Sequence, residues 1–124
     1  MASVFGESSA LVSQEYAAAL LHRDDFIVIA GLLDGEPIAG LTAFVIPLTR
    51  SETAEMFIYD IAVVPTHQRQ GIGRRLVQEV RGFATRRNIA TTWVPADNED
   101  DIALDFYRSI GGTPQVVTIF TFSD

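Results

Sequence analysis

A glycine turn between two apolar runs is the part of the sequence best suited to chemistry. Residues 68–73 read Q-R-Q-G-I-G, and they stand between a β-branched run that ends before Pro65 and apolar residues at helical spacing. A helix that begins directly after such a turn leaves its first backbone N–H groups unpaired, with the positive end of the helix dipole behind them. That arrangement binds phosphate groups.

Two well-known phosphate loops do not fit these letters. The dinucleotide fingerprint needs a third glycine where Leu76 stands, and the P-loop needs a lysine, which the chain lacks. An ordinary tight turn without a ligand remains the alternative for the glycines taken alone.

Carboxylates stand at two places where they could act on an amine. Asp60 is the single charge in the apolar run 56–64, where we expect it to be buried. Five acids crowd residues 97–105, whereas six of the nine arginines fall between residues 69 and 87. One side of a site could therefore be anionic and the other cationic, although solvated helix surface is the alternative for both clusters.

The hydrophobic pattern predicts the elements that hold these groups in place. The run 56–64 is typical of a strand buried on both faces, and Trp93 is expected in the core. In the first half of the chain we predict a helix that Ser13 caps and that runs to about Arg23, followed by strands at 26–33 and 38–48 joined by a hairpin at Asp34-Gly35. The strand 56–64 is followed by a helix at 73–87 and by a strand at 90–94 that is parallel to it. A helix capped by Asp101 and reaching Ile110 and a strand at 115–122 complete the predicted order.

Two separated segments resemble those of the GNAT acetyltransferases. Residues 68–73 resemble that family's acyl-CoA pyrophosphate loop, Gln/Arg-x-x-Gly-x-Gly/Ala, and residues 103–112 resemble its A-x-x-x-Y-x-x-x-G segment. The resemblance implies an α+β fold in which helices flank a mixed central sheet. It also implies a single domain over residues 1–124 that lacks the usual first strand and most of the first helix.

Residues 26–124 are further similar to the aminoglycoside 3-N-acetyltransferases that act on gentamicin. The similar segments are T-A-F-V-I-P-L, F-I-Y-D-I-A-V, H-Q-R-Q-G-I-G and A-D-N-E-D-D-I-A-L, and Phe5-Gly6-Glu7 looks like the segment that follows the first helix in that family. The resemblance implies acetyl transfer from acetyl-CoA to a primary amine of a polycationic small molecule. The implied target is the 3-amino group of an aminoglycoside, attacking directly in a ternary complex.

The resemblance also implies roles for individual residues. Asp60 would deprotonate the amine or dock an ammonium group, Tyr107 would protonate the leaving thiolate unless it only packs on the core, and a backbone N–H near residues 62–64 would bind the oxyanion. The implied acetyl-CoA contacts are Ile61, Ala62, Val63, Gln68, Arg69, Gln70, Gly71, Ile72, Gly73 and Arg74. The implied substrate contacts are Glu55, Tyr59, Asp60, Asp97, Asp100 and Asp101.

Composition narrows the remaining possibilities. A net charge of −7 argues against nucleic acid as a partner, and no apolar run is long enough for a membrane span or placed like a signal peptide, so we expect a cytoplasmic protein. The chain has no cysteine, and its two histidines, His22 and His67, are too isolated for a metal site.

A sheet without its first strand has an open edge, which favours a homodimer. Another acceptor, a polyamine or a protein amine, and a CoA-binding module without catalysis remain alternatives.

Overall fold

The computed structural model describes residues 12–123. These residues contain a four-stranded sheet, three α-helices and a short 3-10 helix. The predicted similarity at Phe5-Gly6-Glu7 lies outside these residues. No helix of the described part is both long enough and apolar enough to cross a membrane. The elements are α1 Gln14–Leu21, β1 Phe26–Leu33, β2 Glu36–Pro47, β3 Ala54–Val63, a short 3-10 helix Pro65–His67, α2 Ile72–Arg86, β4 Thr92–Trp93 and α3 Asp101–Ser109.

The sheet has the strand order β1-β2-β3-β4. The first three strands are antiparallel neighbours, and β3 pairs with β4 in parallel, as the sequence predicts. Asp34 and Gly35 both have positive φ angles, 52° and 81°, which is the geometry of a tight hairpin turn. The predicted meander and the predicted helical crossover are therefore confirmed.

The core lies between one face of the sheet and α2. Leu41, Met56, Ile58 and Val80 have the largest side chains that are fully buried. Leu76, Val77, Val80 and Ala84 recur at helical spacing along α2, so a single face of this helix covers the sheet.

The opposite face of the sheet carries a row of aromatic rings. Phe26 lies 5.0 Å from Phe44, and Tyr59 makes edge contacts with both Phe44 and Phe57. Trp93 stacks on Phe57 at 4.6 Å and is 41% exposed, so its predicted place in the core is wrong. A two-residue edge strand such as β4 cannot enclose so large a side chain. We call Phe26, Phe44, Phe57, Tyr59 and Trp93 the aromatic row.

At the C-terminal end one strand prediction is confirmed only in part and another is wrong. The strand predicted at 90–94 is reduced to Thr92–Trp93, and residues 115–122 form no strand. Apolar β-branched residues favour a strand only where a neighbouring strand supplies hydrogen bonds and side-chain contacts. Residues 115–122 have no such neighbour among residues 12–123 and are exposed throughout.

Candidate active site

A β-bulge in β3 determines the position of Asp60. Thr42 pairs with Asp60 but Ala43 pairs with Ile58, so Tyr59 is an extra residue on β3. The bulge breaks the alternation of side chains, and both Tyr59 and Asp60 are exposed. The prediction of a buried Asp60 in a strand covered on both faces is therefore wrong. The carboxylate is instead open to solvent.

Thr42 is a residue near Asp60 that the sequence reasoning missed. It lies directly across from Asp60 in the ladder, and two positions from Phe44, so it shares a sheet face with the aromatic row. Its Oγ1 atom is buried and has no hydrogen-bond partner within the described part of the chain. The signal available in the sequence was the alternation of Thr42, Phe44 and Ile46 along β2.

The parallel strands β3 and β4 separate soon after they meet. The Met56 N–H donates to the Thr91 carbonyl over 2.9 Å, and the pairing stops at Phe57 and Trp93. Further along β3 the Val64 N–H donates to the Ile38 carbonyl of β2, so by alternation the peptide groups of Ile61 and Val63 face away from β2. We call the space on that side the β3–β4 gap. Residues 62–64, where the resemblance implies a backbone N–H for the oxyanion, lie along the part of β3 that β4 does not cover.

The turn before α2 presents unpaired N–H groups. Gly71 is the N-cap of α2 with a φ of 80°, and no side chain caps the helix. The first intrahelical bond runs from the Arg75 N–H to the Gly71 carbonyl, so the amides of Ile72 and Gly73 and that of the following residue have no partner in the helix. This end of the helix therefore offers the donors that a diphosphate requires.

The same turn is tied to the edge of the gap and carries positive charge. The Gln68 Nε2 group donates to the Val63 carbonyl over 3.0 Å, which links the turn to the end of β3. Arg69 has a φ of 63°, and it is exposed, as are Gln70 and Arg74. The residues predicted to hold the pyrophosphate, 68–74, therefore lie in one turn and the start of α2, and this turn is hydrogen-bonded to Val63.

Gly73 is needed for close contact between two helices. A Cβ atom at this position would lie 3.1 Å from the Phe106 Cζ atom of α3. Phe106 directly precedes Tyr107 in α3, so this contact brings that helix to the first turn of α2. Burial raises the pKa of the half-buried Tyr107 hydroxyl, and the negative charge of Asp100 raises this pKa further. Tyr107 therefore keeps its proton over the whole neutral range.

The acidic residues after β4 have local structural partners. The Asp97 Oδ1 atom accepts the Glu99 N–H over 2.9 Å, and the Asp100 Oδ1 atom accepts the Ala103 N–H over 3.1 Å. Asp100 is consequently the N-cap of α3, and the predicted cap at Asp101 is wrong because Asp101 already lies in the first turn. Since β3 and β4 are parallel, this exposed acidic loop and the end of β3 lie at the same edge of the sheet.

Glu55 is not brought to this site. It lies five residues before Asp60 on β3, which is about 16 Å along an extended strand. No group of three or more His, Asp or Glu side chains in residues 12–123 is arranged to hold a metal ion.

The mixed sheet, the separation of its parallel strands and the helix without a side-chain cap are features that the resemblance to the GNAT acetyltransferases implies. The Acetyltransferase (GNAT) family matches residues 3–111. The chain belongs to that family, whose members use acetyl-CoA, so the predicted fold and cofactor are confirmed.

Individual relatives differ in the acceptors that their names give. The aminoglycoside acetyltransferase meta-AAC0020 comes from an uncultured soil metagenomic sample. Its structure in complex with trehalose is 34% identical in sequence to this chain and superimposes with a TM-score of 0.86, and the match covers 95% of this chain and 83% of that one. Its structure in complex with sisomicin matches with 33% identity and the same TM-score. The ribosomal protein bS18-alanine N-acetyltransferase of Escherichia coli (strain K12) is 34% identical over 64 residues, 52% of this chain and 43% of its own.

A second curated relative is named as an N-alpha-acetyltransferase. The N-alpha-acetyltransferase RimI of Mycobacterium tuberculosis (strain ATCC 25618 / H37Rv) is 42% identical over 64 residues, 52% of this chain and 39% of its own. The chain thus spans about two fifths of the length of the curated relatives that it matches. The 3-amino target inferred from the sequence remains a prediction.

Proposed function

We propose that the chain transfers the acetyl group of acetyl-CoA to a primary amine of an aminoglycoside, with the 3-amino group as its target. The observation that carries this proposal is the position of Asp60, which stands exposed on the sheet face of the aromatic row, on the strand that borders the β3–β4 gap. The similarity to meta-AAC0020 over 95% of the chain supports an aminoglycoside as the acceptor. Such an activity would contribute to antibiotic resistance.

Binding of the donor is assigned to the turn before α2. The free amides of Ile72, Gly73 and Arg74 would hold the diphosphate, and the guanidinium groups of Arg69 and Arg74 would add positive charge. Acetyl-CoA supplies an acetyl thioester when it is bound. The N–H groups of Ile61 and Val63 face the gap, where one of them can donate to an oxygen that gains negative charge.

Asp60 would handle the proton of the attacking amine. Aliphatic amines titrate near 10 and are protonated at neutral pH, so one proton must leave before the nitrogen can attack. An exposed carboxylate can accept it directly or through water. Because Asp60 is exposed, it can alternatively dock a neighbouring ammonium group.

Tyr107 would supply the proton that the departing sulfur needs. Its raised pKa keeps the hydroxyl protonated, and the contact between Phe106 and Gly73 holds α3 beside the donor turn. Because the chain has no cysteine, we propose direct attack in a ternary complex rather than an acyl-cysteine intermediate. The absence of cysteine also supports a cytoplasmic location, which is part of the proposal.

The second candidate function is acetylation of a protein N-terminus. The observation that favours it is the identity with the bS18-alanine acetyltransferase and with RimI, which extends over 64 residues. The charge of −7 and the acidic loop favour a polycation instead, because each carboxylate adds attraction for an ammonium group.

A thiol-release assay separates these functions. Wild-type protein with acetyl-CoA is tested against sisomicin, gentamicin, spermidine and a peptide that begins with alanine, and the product is mapped by NMR. We expect thiol release with the aminoglycosides and acetylation at the 3-amino group.

The Asp60→Asn variant tests the role of the carboxylate. Its kcat should fall about 100-fold if the carboxylate is the base, whereas only its KM for the acceptor should rise if the carboxylate docks an ammonium group.

The control for Asp60→Asn is Asp24→Asn, which makes the same charge change at an exposed position before β1. Turnover of the peptide without turnover of any aminoglycoside would show that the acceptor is a protein N-terminus and not an aminoglycoside. Binding of CoA without thiol release for every amine would identify a binding module without catalysis.

A further inference from the structure

The hydroxyl of Thr42 is a buried polar group without a partner. Within residues 12–123 its Oγ1 atom is the only buried side-chain nitrogen or oxygen that makes no hydrogen bond. The atom is shielded from solvent, so bulk water does not supply the missing bond. A buried donor that stays unpaired destabilises the folded state, and valine has nearly the same shape without that cost. The stability of the fold therefore gives no reason for a hydroxyl at this position.

The neighbours of Thr42 on its face of the sheet are apolar on one side and along its own strand. Val28 of β1 lies opposite it, and Gly40 and Phe44 lie two positions away along β2. None of these side chains can accept a hydrogen bond. On the other side Thr42 lies opposite Asp60 of β3. The Asp60 carboxylate is consequently the side-chain acceptor that the ladder places across from the unpaired hydroxyl.

The other polar side chain at this point of β3, Tyr59, belongs to the aromatic row. Its ring makes edge contacts with Phe44 and Phe57, at 6.1 and 6.0 Å between ring centroids. The bulge leaves Tyr59 without a partner in the ladder, whereas Asp60 is in register with Thr42. Asp60 is exposed and forms no ion pair within residues 12–123, so its carboxylate is free to turn.

The spacing across the ladder suits a hydrogen bond between Thr42 and Asp60. The Cβ atoms of directly opposed antiparallel residues are about 4.5–5.5 Å apart, and hydroxyl groups form cross-strand hydrogen bonds at that spacing. A side chain in a strand has more than one common χ1 position. Rotation about the Cα–Cβ bond of Thr42 can therefore bring its hydroxyl to a carboxylate oxygen without movement of the backbone.

We propose that Thr42 is a positioning residue, whose hydroxyl turns towards β3 and donates a hydrogen bond to the Asp60 carboxylate. The inference rests on the proposed function, in which Asp60 is the base. One carboxylate oxygen would accept the Thr42 O–H, and the other would stay free for the proton of the amine. The bond removes the rotational freedom of an exposed side chain and so holds the base in one orientation.

Kinetics of Thr42 variants test this role, with the amine that gives the fastest thiol release. We expect Thr42→Val to lower kcat about 10-fold and to change KM for the amine by less than about twofold, because the orientation of the base matters in the transition state. Thr42→Ser keeps the hydroxyl and should retain kcat within about threefold of the wild type. In an Asp60→Ala background Thr42→Val should cause no further loss.

Stability measurements separate positioning from packing. The urea midpoint of Thr42→Val should equal or exceed that of the wild type, because the unpaired hydroxyl has been removed. Thr53→Val makes the same chemical change at an exposed position before β3 and should leave kcat unchanged. A wild-type kcat in Thr42→Val, an equal loss in Thr42→Ser, or a loss that persists in the Asp60→Ala background would overturn the inference.

NMR distinguishes failure of this inference from failure of the proposed acceptor. Three-bond couplings to the methyl carbon of Thr42 report its χ1 position and require no turnover. We expect the wild type to populate a χ1 position that Asp60→Ala lacks, whereas Asp24→Ala, at an exposed position before β1, should match the wild type. Identical couplings in wild type and Asp60→Ala would refute the inference even if aminoglycosides are acetylated. Altered couplings would support it even if a peptide is the acceptor.

Discussion

Tyr107 has a protonation equilibrium that the fold changes. Burial raises its pKa above the ordinary value of 10, and Asp100 raises it further. The folded chain therefore binds this proton more tightly than the unfolded chain does. The stability that follows is complete below pH 10 and is lost as the pH rises through the higher pKa of the folded state.

Replacing Tyr107 by phenylalanine should remove this dependence. We expect the melting temperature of the wild type to fall more steeply than that of Tyr107→Phe between about pH 9 and about pH 11, because only the wild type has this hydroxyl to ionise on unfolding. Circular dichroism melts along a pH series measure it. Tyr16→Phe, on the exposed side of α1, is the control and should follow the wild type. Parallel curves for wild type and Tyr107→Phe would contradict the expectation.

The environment of Asp60 could not be predicted from the sequence. An isolated charge in an apolar run indicates burial when every residue of the strand alternates. Whether the alternation continues depends on the register between β2 and β3, and the bulge at Tyr59 is decided by pairs of residues 15 and 18 positions apart. The position of Thr42 opposite Asp60 likewise becomes evident only when β2 is aligned with β3.

At the scale of elements, α2 depends on two glycines in different ways. Gly71 has a φ of 80° and open space around it, so its backbone conformation rather than its size is required. Gly82 lies inside α2, where a Cβ atom would meet only the flexible end of Arg86 at 3.3 Å. A methyl group should thus have opposite effects at the two positions.

Gly71→Ala should destabilise the fold by about 1 kcal/mol, because a left-handed residue with a Cβ atom is strained. Gly82→Ala should stabilise it by about 0.5–1 kcal/mol through the better helix propensity of alanine. Urea unfolding measures both values. Gly71→Ala should in addition weaken CoA binding in calorimetry, and Gly82→Ala should not. Equal CoA affinities in the two variants would show that the turn before α2 does not bind the donor.

Elements held together by local interactions were predictable. The hairpin at Asp34-Gly35, the helix predicted at 73–87 and the start of α1 at Ser13 each depend on residues close in sequence, and each forms close to the predicted position. The strand at residues 115–122 failed because strand formation needs a partner whose position the sequence does not reveal. Part of the aromatic row could be anticipated from the alternation of Phe57 and Tyr59 along β3, but its closeness to Asp60 could not.

At the scale of the whole molecule, charge is unevenly distributed. The net charge is −7, yet six arginines fall between residues 69 and 87 and the acids concentrate at 97–105. A polycationic acceptor is attracted by the total charge and by the acidic loop. The anionic donor, acetyl-CoA, is attracted by these arginines but repelled by the negative charge of the rest of the chain.

Ionic strength should therefore affect the two substrates differently. We expect KM for the aminoglycoside to rise several-fold when salt is increased from about 0.05 to about 0.5 M, because each exposed ion pair contributes only about 0.2–1 kcal/mol and is screened. KM for acetyl-CoA should change less. The double variant Asp97→Asn and Asp101→Asn should show a weaker salt response for the acceptor, with Asp24→Asn as the control. Identical salt responses for both substrates would contradict steering by the acidic loop.

The chain has one tryptophan, and it stands where β3 and β4 last pair. The indole of Trp93 stacks on Phe57 with an angle of 22° between the ring planes and remains partly open to water. Its ultraviolet emission consequently originates from a single place, at the mouth of the β3–β4 gap. Widening of the gap or entry of a thioester would each alter the wavelength or intensity of that emission, so the molecule carries its own optical probe.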